Sequence, residues 1–202
     1  MEYLQSLFGL QNQTAVITGG GGILGRALSL GLARAGAKVA VISLHAESAN
    51  NVATAIQTEG GEALGLACDV TERASLETAY QHITSAFGPI DILVNGAGGN
   101  RPQATITKDQ TFFQLEKSAM ETVNQLNFTG TFLSSQVFGQ SMVEQGQGCI
   151  VNISSMAALR PLTNVVAYGA AKAAMTNFTQ WLAVHMAQTY SPLIRVNTLP
   201  CI

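Results

Sequence analysis

Ala15-Val16-Ile17-Thr18-Gly19-Gly20-Gly21-Gly22-Ile23-Leu24-Gly25 decides how this chain folds. Its first four residues are a short apolar run, with the length and composition of a buried strand. Four consecutive glycines follow. Beyond them Leu24, Leu28 and Leu32 recur four apart, on one stripe of a helix. Glycine inside a regular element costs stability, so four in a row between strand and helix need a reason. They let the backbone turn sharply and approach a ligand closely. The free N–H groups of the helix's first turn then meet negative charge. Strand, glycine-rich turn and helix form the context that a dinucleotide site needs. The plain alternative is a flexible turn.

The alternation continues outward from there. Residues 38–44 read as a second strand, 46–59 as a helix closed by Gly60-Gly61, and 63–67 as a third strand ending at Cys68-Asp69-Val70. Thr71 is expected to cap a helix running to residue 87, with Glu72 in its first turn and Gly88-Pro89 as its stop. Residues 90–94 read as a fourth strand ending at Asn95-Gly96-Ala97-Gly98-Gly99, and 100–117 as a loop or short helical turn. One long helix is expected over 118–144, ended by Gly146 and Gly148. A fifth strand at 150–153, a helix over 165–189 and a sixth strand from 194 complete the pattern. This predicts an α/β fold: a Rossmann-like, doubly wound parallel sheet in three α/β/α layers. No repeat, linker or low-complexity tract divides residues 1–202, so one domain is expected.

Composition agrees and excludes several function classes. The 202 residues are 47% hydrophobic and 11% charged with 20 glycines, a globular rather than disordered balance. The net charge of −2 and the lack of any basic cluster give no footprint for nucleic acid or an anionic membrane. Cys68, Cys149 and Cys201 are an odd set without CxxC spacing, read as reduced structural thiols of a cytoplasmic protein. His45, His82 and His185 are scattered, so no metal site is expected. Residues 1–13 lack a basic stretch followed by an apolar core and are not read as a secretion signal. No apolar run is long enough to span a bilayer.

The second decisive stretch is Tyr168-Gly169-Ala170-Ala171-Lys172, with Ser155 thirteen positions before the tyrosine. On a helix, residues four apart share a face. An ammonium near a phenol favours the phenolate and lowers its pKa from ~10, which makes a proton donor and acceptor for a reacting oxygen. Ser155 lies just past the run Cys149-Ile150-Val151-Asn152-Ile153, so its hydroxyl stands at a strand's end, placed to polarise a carbonyl. The bland reading of the tyrosine and lysine is a surface pair. Their surroundings raise the alternative. Thr18-Gly19, Asp69, Asn95 and Ser154-Ser155 all end strands, and in a parallel sheet these ends share the edge where ligands lie.

With these residues in place, the chain resembles the short-chain dehydrogenase/reductases over nearly its whole length. Thr18, Gly19, Gly21, Gly22, Ile23, Leu24 and Gly25 match that family's cofactor loop. Asp69-Val70 matches its adenine contact, Asn95-Gly96-Ala97-Gly98 its strand-four motif, and Asn127, Ser155, Tyr168 and Lys172 its catalytic tetrad. Within the family, residues 96–102, 152–156, 160–163 and 177–183 resemble the branch of D-mannonate oxidoreductases, or fructuronate reductases. The resemblance implies an enzyme that interconverts a secondary alcohol and a ketone with NAD(H) or NADP(H), on a sugar acid. It implies that Tyr168 transfers the proton, Lys172 holds the nicotinamide ribose, Ser155 binds the carbonyl oxygen and Asn127 holds a water linking Lys172 to solvent. Arg101 and Arg160 are candidates for the substrate carboxylate. It also implies a homodimer through the two long helices.

Three departures qualify the match. Ile23 stands where the family loop has glycine, so Gly22 or Gly21 must make that close approach. Ser43 stands where NAD-preferring members carry aspartate, no arginine directly replaces it, and Arg26 is a candidate phosphate contact, so the choice of NAD or NADP stays open. The sequence ends at Leu199-Pro200-Cys201-Ile202, where family members continue with a substrate-covering segment and a seventh strand. The expectation is therefore a chain truncated before that strand, with a non-catalytic dinucleotide-binding protein as the alternative. Trp181, Phe178 and Met175 lie at helical spacing and read as packing.

Overall fold

A computed structural model of the chain describes residues 7–201. Residues 1–6, part of the stretch read as no secretion signal, and Ile202 lie outside the described residues. Among the described residues one parallel sheet holds β1 (Thr14–Thr18), β2 (Lys38–Ser43), β3 (Ala63–Ala67), β4 (Ile92–Asn95), β5 (Gly148–Ser155) and β6 (Ile194–Cys201). Their order is β3-β2-β1-β4-β5-β6. The helices are α1 (Ile23–Arg34), α2 (Ala46–Thr58), α3 (Arg73–Phe87), α4 (Lys117–Asn124), α5 (Gly130–Gln145) and α6 (Val166–Thr189). This is the doubly wound arrangement expected from the sequence. Its order reverses at β1, which pairs with β2 on one side and β4 on the other, and a crevice opens at such a switch point.

Strand alternation explains why the sheet is covered twice. Ala15 and Ile17 of β1 join Val39 and Val41 of β2 in a core against Ala49, Val52, Ala53 and Ile56 of α2. Val16, Ala40 and Ile42 face the other way, into a core with Leu76 and Ile83 of α3, Phe138 and Met142 of α5, and Leu182 and Met186 of α6. Apolar residues at every position of a strand are what two buried faces require. Among the described residues no helix is long and apolar enough to cross a membrane.

Register sets the functional edge. Thr18 pairs with Ile42 and Asn95, Asn95 pairs with Asn152, and Ser155 pairs with Cys201. The carboxyl ends of β1, β2, β4 and β5 therefore reach one side of the sheet together.

Three local expectations are corrected. Thr71 does not cap the third helix, which starts at Arg73 after Glu72. Its N–H and hydroxyl instead donate to Asp69 Oδ1 at 2.9 and 2.7 Å, because a short side-chain acceptor two residues back competes for both. The long helix expected over 118–144 is interrupted: α4 and α5 are joined by one wider π turn, Gln125–Thr129, with Asn127 inside it. Leu24 leaves the apolar stripe of α1. It is exposed at the sheet edge, while Leu28 and Leu32 pack half-buried against α2's core.

Candidate functional site

A cavity of about 780 Å³ opens at the carboxyl edge of the sheet, within the size range of small-molecule sites. The β1–α1 turn lines it with Gly19, Gly22, Ile23, Leu24 and Gly25. The end of β2 adds Ser43 and Leu44, and the segment after β3 adds Cys68, Asp69, Val70 and Thr71. Gly96, Ala97, Gly98 and Arg101 follow β4. The far wall is Glu121, Thr122, Gln125 and Leu126 of α4 and the π turn.

The turn is built so that nothing fills this cradle. A Cβ on Gly25 would run into the Gly19 carbonyl, and one on Gly19, where φ is +67°, would fall 2.8 Å from the backbone of Gly96 and Ala97. Gly22 is the residue before α1 and offers no side-chain cap. Its added Cβ would meet only the Gly19 carbonyl, at 3.3 Å. The free N–H groups of α1's first turn therefore have no side-chain partner, the arrangement a phosphate ligand uses. Of the two glycines, Gly22 is the less crowded. Gly21 lies against the hydroxyls of Ser43 and Ser48, which bond each other at 2.9 Å. Ile23 is 96% exposed.

Lys172 and Asn127 meet beside Gly98, the Tyr168 ring adjoins Lys172, and Ser155 ends the strand whose Ile153 carbonyl holds that lysine; all four stand outside the cavity's lining. Lys172 is only 4% exposed, and its Nζ donates to the Ile153 carbonyl at 2.7 Å. Burial pushes the Lys172 ammonium down to about 8, against a smaller upward pull from Cys201. Nζ lies 5.6 Å from the centre of the Tyr168 ring, one helical turn away. A Cβ on Gly98 would meet Asn127 Oδ1 at 2.7 Å and Lys172 Nζ at 3.2 Å, so both groups stand against that glycine. Ser155 is buried, and its Oγ accepts from the Ala157 N–H at 3.1 Å. That bond leaves the hydroxyl proton free to donate. The turn it opens, Met156–Ala158, packs on the start of α6: a Cβ on Gly169 would come 3.3 Å from the Ala157 carbonyl. Tyr168 is half-buried and packs on the cluster of Ala104, Ala119, Val123 and Ala167.

Asn127 differs from expectation in detail. Its Nδ2 donates to the carbonyls of Gly99 and Val123 at 2.7 and 2.8 Å, and its Oδ1 accepts from Gly99 N–H at 3.0 Å. The amide thus straps the loop after β4 to the π turn, with one Oδ1 lone pair left over.

Several sequence candidates lie outside the cavity wall. Thr18 is buried and accepts from Ala97 N–H. Asn95 turns beneath the sheet edge, where its Nδ2 donates to Asn152 Oδ1 at 2.8 Å and Ser135 Oγ at 3.1 Å. Arg26 and Arg160 are exposed and stand away from the wall, whereas Arg101 is part of it. Trp181 is 56% exposed and stacks on His185, so it does not serve as interior packing, whereas Met175 is fully buried. Sequence reasoning missed the far wall. Its signal was present in the polar stripe of 121, 122 and 125, which helical spacing puts on one side.

The short chain dehydrogenase family model matches residues 13–201. This chain belongs to that family. An uncharacterized oxidoreductase, UxuB, of Bacillus subtilis is 45% identical over 94% of this chain and 70% of its own length. An uncharacterized oxidoreductase of Haemophilus influenzae is 42% identical over 89% of this chain and 66% of its own. The crystal structure of a candidate D-mannonate oxidoreductase from Haemophilus influenza, with bound NAD, superposes with a TM-score of 0.89 at 40% identity, over 96% of this chain and 72% of that one. The chain thus spans about two thirds of the length of the curated relatives it matches.

Proposed function

We propose that this short-chain dehydrogenase interconverts a secondary alcohol and a ketone with NAD(H) or NADP(H), on a sugar acid of the fructuronate and D-mannonate kind. The observation that supports the reading is Lys172, buried against Gly98 with the Tyr168 ring centre 5.6 Å from its ammonium and Ser155 just past the Ile153 carbonyl that the lysine bonds. When bound, the nicotinamide ring supplies the hydride exchange. Tyr168 gives the proton to the substrate oxygen in reduction and takes it back in oxidation. Lys172, an ammonium at neutral pH, stabilises the charge left on the phenol and holds the cofactor's ribose. Ser155 donates its free hydroxyl proton to the same substrate oxygen. Arg101 offers the wall's guanidinium to a carboxylate, which supports a sugar acid. The likeness to the candidate mannonate oxidoreductase supports the same class.

Initial rates of the purified chain with NAD and NADP on D-mannonate and a panel of neutral polyols test this. Turnover preferring the acid, lost in Tyr168→Phe and weakened in KM by Arg101→Ala, is expected. Dinucleotide binding without turnover on any substrate would replace it with the binding-only reading. The proposed place of action is the cytoplasm, which suits three unpaired thiols.

The proposed assembly is a homodimer through α5 and α6. A stripe of Phe128, Phe178, Trp181, His185 and Tyr190 runs along them, ring against ring, above a groove of about 400 Å³. Trp181 and Val184 are each 56% exposed there, an apolar surface that a second copy would cover.

A further inference from the structure

Two hydroxyls behind the site close a ring of contacts that the reaction itself does not use. Ser154 Oγ lies 2.8 Å from Thr176 Oγ1, and Thr176 Oγ1 donates to the Lys172 carbonyl at 2.9 Å. The proton on Thr176 is committed to that carbonyl, so Ser154 is the donor between the two hydroxyls. Ser154 is 3% exposed and also lies 3.5 Å from the same carbonyl. On the neighbouring residue, the Ile153 carbonyl accepts from Lys172 Nζ at 2.7 Å. Two consecutive residues of β5 therefore grip one lysine at both ends. Ile153 takes the ammonium, and Ser154, through Thr176, takes the backbone. The next residue along β5 is Ser155.

We infer that Ser154 and Thr176 are positioning residues: their hydroxyl pair fixes the turn of α6 that carries Lys172 to the strand end that carries Ser155. The inference rests on the proposed roles of Lys172, Tyr168 and Ser155, and it concerns how they are held. A lysine side chain has four rotatable bonds, and confining it inside a protein costs conformational entropy and hydration. One hydrogen bond at its tip cannot hold the ammonium buried if the backbone beneath can recede. Helix α6 has no other side-chain bond to residues 153–155 among those the structure describes. One turn further on, Thr179 accepts from Asn152 in the same manner, so Asn152 and Ser154, alternate residues of β5, each have a hydroxyl partner on the helix.

The test does not depend on turnover. The chain has only four lysines, Lys38, Lys108, Lys117 and Lys172, so lysine labelled with ¹³C at Cε gives a spectrum in which the buried one is separable. The titratable groups near it are Tyr168 and Cys201, and neither changes in the variants used. Thr176→Val removes the hydroxyl and keeps the shape. It is expected to raise the Lys172 titration by about one unit towards its ordinary value, and to weaken dinucleotide binding, read by fluorescence titration with NADH, about tenfold. Thr176→Ser restores both. Ser154→Ala gives the same direction with no change on α6, and decides the matter if the valine variant does not fold. An unmoved Lys172 resonance in a folded Ser154→Ala or Thr176→Val protein overturns the inference, whether or not the chain turns over. Loss of the catalytic reading is registered separately, by a Tyr168→Phe protein that keeps full activity.

Discussion

Lys172 crosses from α6 to donate its ammonium to the Ile153 carbonyl on β5, 2.7 Å away, and it does so almost wholly out of water. That contact makes the protein's stability depend on pH in a definite direction. Burial lowers the ammonium to about 8 from an ordinary value of 10.5. Between those two pH values the unfolded chain keeps the proton that the folded chain has released, so the unfolded state binds more protons and stability rises with pH. Below 8 both states are protonated and the full penalty, about 3 kcal/mol, is present. Urea unfolding of the chain against Lys172→Met from pH 7 to 10.5 isolates this group. The difference between the two proteins should shrink by about 3 kcal/mol as the pH climbs through that window. A constant difference would mean that the lysine is not buried as an ammonium.

Asn127 gives three hydrogen bonds from one amide, two of them to Gly99. Asn127→Ala frees the loop that carries Gly98 and Arg101 and leaves the Val123 and Gly99 carbonyls without that donor. Two such bonds are worth about 2 kcal/mol. Fluorescence titration with NADH should show binding weakened by at least about tenfold, while the melting temperature drops by several degrees. Unchanged affinity would show that the strap does not shape the cavity.

The parts of the fold that follow from periodicity were legible. Apolar runs of strand length between glycine-closed helices gave the sheet, its covering layers and the shared edge of strand ends. The π turn was hidden by an apparently continuous pattern. Buried Ala119, Val123, Asn127, Thr131 and Ser135 recur every four residues. A helix advances one turn every 3.6, so four such steps overshoot by about 1.6 residues. One wide turn takes up most of that excess, and this regular spacing of four was the signal that could have revealed it. The polar interior was not legible at all. Nothing in the sequence announces that Asn95, Asn152, Ser135 and Thr179 meet in a buried ladder, because each is an ordinary polar residue until β4, β5, α5 and α6 bring them together. Asn95 shows the consequence. Strand alternation carries its side chain to the face of Leu93, beneath the edge, while the following glycines continue to the cavity.

Two glycines of α1 should respond oppositely to alanine. Gly31 is exposed, with nothing within 4 Å of an added Cβ, so Gly31→Ala gains helix propensity without a clash. It should stabilise by about 0.5–1 kcal/mol, a rise of a few degrees in a thermal melt. Gly25 meets the Gly19 carbonyl, and its Cβ would also fall 2.7 Å from Gly20 Cα. Gly25→Ala must displace the turn, so it should lower the melting temperature and abolish saturable NADH binding. A Gly25→Ala protein that binds normally would contradict the tight β1–α1 packing.

Ser43 is where the two forms of cofactor should be told apart. It ends β2 on the cavity wall, and its hydroxyl is held by Ser48, which in turn donates to the His45 carbonyl at 2.8 Å. Ser43→Asp puts a carboxylate at that place on the wall. A 2′-phosphate brought near it meets like charge in a partly desolvated site, whereas a ribose hydroxyl meets an acceptor. The ratio of kcat/KM for NAD to that for NADP should therefore rise by at least about tenfold, chiefly through loss of NADP. If NADP turnover is untouched, the adenosine end of the cofactor does not reach Ser43, and the orientation of the dinucleotide along the cradle would have to be reversed.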